Sequence, residues 1–175
     1  DLLSLLGERG LLEPEDFAHR SCDPLHSVPI EASFIARPAN AEELSGVMKL
    51  AILHDRKVVT HGGLTSLAGG AYTSPGCIVV STERMRIIEE IDEMGQPMVV
   101  AAGVPIEEIQ NEAEARGLFY PVDLGSKGTA TIGGTIATNA GGLLCAKYGV
   151  TREAVLGLTV VLADGSLMQL GHRTV

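Results

Sequence analysis

The apolar residues Leu44, Val47, Met48, Ala51 and Ile52 recur at spacings of three and four, which places them on one face of a helix. Asn40-Ala41-Glu42-Glu43 stands just ahead, with a capping residue followed at the third position by an acid, so the helix is predicted to start there and run to about His54. Phe34-Ile35-Ala36-Arg37-Pro38 predicts a short strand before it, and Lys57-Val58-Val59-Thr60 a buried strand after it. Strand, helix and strand in that order predict a βαβ unit with parallel strands, whose ligand edge lies at the carboxyl ends of the strands.

Farther along, residues 77–81 predict a strand, and residues 87–91 and 98–102 a hairpin turning around Gly95. A helix is predicted over 106–116, with Pro105 suited to its first turn, acids early, Arg116 late and Gly117 as its stop. Residues 154–162 and 166–170 flank the turn signal Ala163-Asp164-Gly165, a second hairpin. Residues 1–33 read as a short amphipathic helix and a connection broken by Pro14, Pro24 and Pro29, and the chain closes in His172-Arg173-Thr174-Val175. A parallel unit followed by antiparallel hairpins makes the expected class α+β. The expected organisation is a helical lead-in over 1–33 and one domain over 34–175, divided at about residues 34–95 and 96–175.

With 175 residues, 45% of them hydrophobic, the chain has material for one core. A net charge of −9 without a basic run, 3% aromatic residues and no Trp exclude the usual nucleic-acid binder, which needs a basic face or stacking platforms. Cys22, Cys77 and Cys145 have no metal-ligand spacing, so no metal is expected and a reducing, cytoplasmic location is. No run approaches a membrane span, and the start lacks the basic region of a signal peptide. The absence of Met at position 1 is read as the mark of an excised piece.

Two glycine-rich stretches carry the candidate chemistry: residues 61–70, directly after a predicted strand, and residues 125–142. Glycine lets backbone N–H groups approach a ligand closely, and the interleaved hydroxyls add donors, so the pair suggests a large ligand containing a diphosphate. Neither stretch is a P-loop, because no Lys-Ser or Lys-Thr follows the last glycine. A dinucleotide fingerprint also fails, since Leu64 stands where Gly is required. The remaining alternative is that the glycines only make tight turns and close backbone contacts.

The stretch ending in Gly62-Gly63-Leu64-Thr65-Ser66 and Gly69-Gly70 resembles the diphosphate loop of the vanillyl-alcohol oxidase and p-cresol methylhydroxylase type of FAD-binding domain. Residues 121–128, Thr131-Ile132-Gly133-Gly134, Ala137-Thr138-Asn139-Ala140-Gly141-Gly142 and Tyr148-Gly149 are similar to its second signature. The likeness spans about residues 34–171, and the Asp123-Leu124-Gly125-Ser126-Lys127-Gly128 run looks most like D-2-hydroxyglutarate dehydrogenases, with glycolate and D-lactate oxidising members nearby.

The resemblance implies two α/β lobes, a small parallel-strand one and a larger one with antiparallel strands, gripping FAD. Carried over by motif, His61, Gly62, Gly63, Leu64, Thr65 and Ser66 would wrap the diphosphate. Gly125, Ser126, Thr131, Gly133 and Gly134 would run along the ribityl and diphosphate, and Thr138, Asn139, Ala140, Gly141 and Gly142 would approach the isoalloxazine. His61 departs from the usual Arg, and Leu64 stands where flavin-tethering members carry His, so non-covalent FAD is expected.

The implied reaction is hydride transfer from a D-2-hydroxy acid to flavin, giving the 2-oxo acid, with an electron acceptor completing the cycle. Its small-molecule substrate would be bound through a C-terminal domain missing from this chain, and the FAD domain itself is expected to be truncated at its C-terminus, leaving the fragment inactive alone. A homodimer is the assembly carried with this reading. His19, His26, His54 and His172 fall in no motif, so no catalytic residue is named. A flavin subunit of a molybdenum hydroxylase-like enzyme and a cofactor-free interaction domain stay open as alternatives.

Overall fold

The computed structural model describes residues 1–91 and 97–171. The turn expected around Gly95 and the chain end from His172 to Val175 lie outside them. The first lobe rests on a sheet of β1 (Leu11–Leu12), β2 (Ala32–Ala36), β3 (Val58–His61) and β4 (Cys77–Ser81), in the order β1-β2-β4-β3. β2, β4 and β3 run parallel, as the strand-helix-strand pattern predicts, and β1 is antiparallel to β2. β4 sits between the other two parallel strands and is buried at every position, which is why its sequence is a continuous run rather than an alternation.

Alternate residues of this sheet feed two cores. Ala36, Ile78 and Val80 pack against Leu6 of α1 (Leu2–Leu6) and Val47 and Ala51 of α3 (Ala41–Leu53). Ile35 and Val79 pack against Phe17 of α2 (Pro14–Phe17), Cys22 and Ile30. Residues 1–33 thus contribute a strand to the sheet and a cover to its second face, a role their broken pattern did not reveal. α3 starts where its capping signal places it: Asn40 Oδ1 accepts from the Glu43 N–H and Glu43 Oε2 from the Ala39 N–H, both at 2.8 Å.

The second lobe contains the antiparallel pairs β5 (Ile88–Ile91) with β6 (Met98–Val100) and β7 (Gly157–Val161) with β8 (Leu167–Gly171). Between them lie α4 (Ile106–Glu114), α5 (Ile132–Thr138) and the short α6 (Cys145–Tyr148). Val104, Ile106, Ile109, Ala130 and Ile132 form its core. The second glycine stretch reads in sequence as a loop, one helical turn and a loop, whereas α5 within it runs for seven residues. Glycine disfavours a helix there, but Ile132 and Ile136 are anchored in the core and supply the missing free energy. A mixed α/β architecture with a small parallel lobe and a lobe of antiparallel pairs results. The lobes are joined in part by the Ser45 hydroxyl, which donates to the Gly165 carbonyl at 2.5 Å. Among the described residues no helix is long and apolar enough to cross a membrane.

Candidate functional site

β3 ends at His61, and the first glycine stretch leaves the carboxyl edge of the sheet there. The backbone N–H groups of Gly62, Gly63, Leu64, Thr65, Ser66 and Leu67 donate to no acceptor among the described residues. Leu64 holds a left-handed φ of 54°, a conformation that turns successive N–H groups inward as an anion nest does. For a γ-branched residue this conformation costs about 1–2 kcal/mol, so packing around the loop must hold it.

The packing comes from the second glycine stretch. A Cβ on Gly62 would stand 2.6 Å from Thr131 Oγ1. On Gly63 it would fall on the Thr129 carbonyl oxygen and within 3.1 Å of Ala130 Cα. These two glycines therefore serve close backbone approach between the lobes, as well as leaving their N–H groups free. The sequence alternatives of ligand loop and backbone contact are both realised in the same residues.

His61 is 3% exposed, and its Nε2 lies 2.8 Å from the Ala71 carbonyl, to which it donates. Burial lowers the ring below its ordinary 6.5 and the charge of Arg20 adds to this, against the bond to Ala71, which raises it. The ring is neutral and turned to its own loop, leaving backbone dipoles rather than an imidazolium at the nest. Thr65 makes no side-chain hydrogen bond among the described residues, and Ser66 Oγ accepts from the Ala68 N–H at 3.2 Å.

In the second stretch the sequence candidates divide. The N–H groups of Gly125, Ser126, Gly141 and Gly142 have no acceptor among the described residues. At the start of α5 the opposite holds: the N–H groups of Ile132 and Gly133 donate to Val104 and Ala102, both at 2.9 Å, and that of Gly134 to Thr131 Oγ1 at 3.4 Å. Thr131 and Gly134 thus cap a helix, and Gly133 lets it lie 2.8 Å, measured from an added Cβ, against the Ala102 methyl. The Thr138 hydroxyl donates back to Gly134 at 2.9 Å.

Asn139 closes α5 in the left-handed region and accepts from the Arg152 N–H at 3.0 Å. Ala140 accepts twice from Thr151, at 2.9 Å from its N–H and 2.6 Å from its hydroxyl. Gly142 has φ 76° and is pressed against Asp123, whose carbonyl also takes the Leu143 N–H at 2.8 Å. Thr151 and Asp123 were absent from the sequence candidates, and each acts by fixing the backbone of residues 140–143. A polar residue with no exposed surface, as Thr151 is, was the signal, but burial is not visible in sequence.

The site is consequently a cradle of backbone donors on two touching loops, in which the one lysine, Lys127, is paired with Asp123 at 3.3 Å. A diphosphate fits such a donor set, because oriented N–H dipoles stabilise an anion without a balancing side chain.

Comparison with known proteins agrees with this geometry. The model of the FAD binding domain family matches residues 32–171. D-2-hydroxyglutarate dehydrogenase of Xanthomonas citri pv. viticola is 39% identical over 163 residues, 93% of this chain and 34% of that protein. D-lactate dehydrogenase of Archaeoglobus fulgidus is 40% identical over 141 residues, 81% of this chain and 31% of that protein. Glycolate oxidase subunit GlcD of Bacillus subtilis is 39% identical over 139 residues, 79% and 30% of the two chains. The solved structure of 6-hydroxy-D-nicotine oxidase from Arthrobacter nicotinovorans superposes with a TM-score of 0.78 at 25% identity, covering 92% of this chain and 35% of that one. The chain spans about a third of the length of the curated relatives it matches.

Proposed function

The chain belongs to the FAD binding domain family, and from that premise we propose that it is the cofactor-holding part of an FAD-linked dehydrogenase or oxidase of a D-2-hydroxy acid. The observation that carries the reading is the run of unpaired N–H groups over residues 62–67, set at the carboxyl edge of a parallel sheet and backed by residues 129–131. Those groups bind the diphosphate, and the N–H groups of Gly125, Ser126, Gly141 and Gly142 take further polar atoms of the same cofactor. FAD, when bound, supplies a hydride acceptor. This chain's own residues orient it and keep its diphosphate in a fixed field of dipoles.

Leu64 offers no atom for a bond to flavin, which supports non-covalent binding. The substrate class rests on relatives named for D-2-hydroxyglutarate, D-lactate and glycolate, all small hydroxy acids. Reoxidation of the flavin requires an electron acceptor. The three free thiols, two of them buried, support a reducing compartment such as the cytoplasm.

Titrating FAD into the chain tests the cofactor assignment. Visible absorbance should shift on binding, the melting temperature should rise by mass action, and acid denaturation should release the colour. The absence of any thermal shift at saturating FAD would overturn the assignment, and colour that stays on the denatured chain would overturn non-covalent binding. With the full-length protein, anaerobic bleaching of the flavin by D- but not L-2-hydroxy acids is the expected substrate result.

A further inference from the structure

The diphosphate loop returns to the sheet through Ala71, Tyr72 and Thr73, and each of these is held from outside residues 62–76. His61 donates to the Ala71 carbonyl at 2.8 Å, the Tyr72 hydroxyl donates to Asp23 Oδ2 at 2.5 Å, and the Glu31 N–H donates to Thr73 Oγ1 at 2.8 Å. By contrast, residues 64–70 make no hydrogen bond to described residues outside the loop: the Ala68 N–H donates to Ser66 Oγ and the Tyr72 N–H to the Gly69 carbonyl. The stretch bearing most of the free N–H groups is therefore fixed only at its two ends: by Gly62 and Gly63 against residues 129–131, and by the three bonds at residues 71–73.

Two of those three bonds come from the segment before β2, and that segment is itself anchored. Asp23 Oδ1 accepts from the N–H groups of Leu25 and His26, both at 2.8 Å, and the Asp23 carbonyl accepts from the Ser21 hydroxyl at 3.0 Å. Arg20 reaches Glu83 at 3.1 Å, just past the end of β4, where Arg37 also pairs with Glu83 at 2.8 Å. The Asp23 side chain is 8% exposed, while Tyr72 is 47% exposed. The carboxylate is thus a preset post, and the tyrosine hydroxyl is the part the loop brings to it.

We propose that Asp23, acting through Tyr72, is a positioning residue for the diphosphate loop, holding its outgoing limb so that the N–H groups of residues 62–67 face the cofactor before it arrives. This rests on the reading of that loop as the FAD diphosphate site. An outgoing limb held by fewer bonds keeps more freedom in the apo chain, and the entropy of ordering it when the ligand binds is subtracted from affinity.

The test uses the full 175-residue chain with Tyr72→Phe, Asp23→Asn and the double variant. Asp23→Asn keeps an Oδ1 acceptor for the turn at 25–26 but removes the charge facing Tyr72. Each variant is measured for FAD affinity, for apo melting temperature and for amide exchange at Tyr72, whose N–H donates to Gly69 at 3.1 Å. FAD should bind about tenfold more weakly in Tyr72→Phe, which removes the bond, and no more weakly than that in the double variant, whereas Asp23→Asn, whose Nδ2 can donate to the Tyr72 hydroxyl, should lose less. Exchange at Tyr72 should quicken in the apo chain while the melting temperature moves by less than about 2 °C.

FAD binding by Tyr72→Phe within twofold of the unaltered chain would overturn the proposal, as would a fall in its melting temperature large enough to make the bond a general support of the fold. An unaltered chain that binds no FAD, with exchange at Tyr72 still quickened by Tyr72→Phe, would instead remove the cofactor reading on which the proposal stands.

Discussion

Gly63 and Thr129 meet backbone to backbone: a side-chain carbon on Gly63 would clash with the Thr129 carbonyl, standing 2.7 Å from its carbon. The two glycine stretches, far apart in sequence, are one structural unit at this point. Gly63→Val should therefore reduce the stability of the apo chain by about 1–3 kcal/mol as well as weaken FAD binding. Gly70→Ala, with open space around its added carbon, should change stability by less than about 0.5 kcal/mol. Urea unfolding of both variants checks this. Equal stability of Gly63→Val and the unaltered chain would mean that the contact yields without strain.

The buried His61 ring gives the apo protein a pH dependence with a defined sign. Its pKa in the folded chain is lowered from 6.5, so the unfolded chain takes up the proton first on acidification. Its contribution to stability is complete above about 6.5 and is lost as pH falls from there toward the folded value. His61→Gln, which keeps a donor for Ala71, should flatten the stability profile below about pH 6.5. An unchanged slope in the variant would assign the dependence to other groups.

Thr151 has no exposed surface and holds the Ala140 carbonyl with both its N–H and its hydroxyl. Thr151→Val keeps the shape and the N–H bond but removes the hydroxyl donor. We expect a loss of about 1 kcal/mol in denaturant unfolding, with weaker FAD binding because residues 139–142 lose part of their anchor. Unchanged FAD affinity in a destabilised variant would separate Thr151 from the site.

Tyr120 packs against the core of Val104, Ile106 and Ile132 with its hydroxyl buried and without a partner among the described residues, and burial pushes the phenol up to about 12. Tyr120→Phe should raise stability by about 1 kcal/mol, since it removes a desolvated group that gains nothing in return. A decrease in the unfolding midpoint would show that the hydroxyl has a partner in solution.

Much of the first lobe was legible because its signals are local. The cap at Asn40 and Glu43, the spacing of Val47 and Ala51, and the unbroken run at residues 77–81 each state an element within a few residues. The strand Leu11–Leu12 was not legible, because two residues carry no period and its pairing with Ala36 and Ile35 comes from distant chain. α5 was underestimated because its glycines speak against a helix locally, and the packing of Ile132 and Ile136 together with bonds to Ala102 and Val104 reverses that.

The sequence by itself determined that two glycine-rich stretches exist, that one follows a buried strand, and that their pattern suits a diphosphate held by backbone. Tertiary structure decided which of their N–H groups are free. Gly133 and Gly134 carry the same local signal as Gly62 and Gly63, yet their donors are bonded within the fold while those of residues 62–67 have no acceptor among the described residues. A backbone N–H looks the same in every residue but proline, and whether it faces a ligand depends on where acceptors from distant segments come to lie.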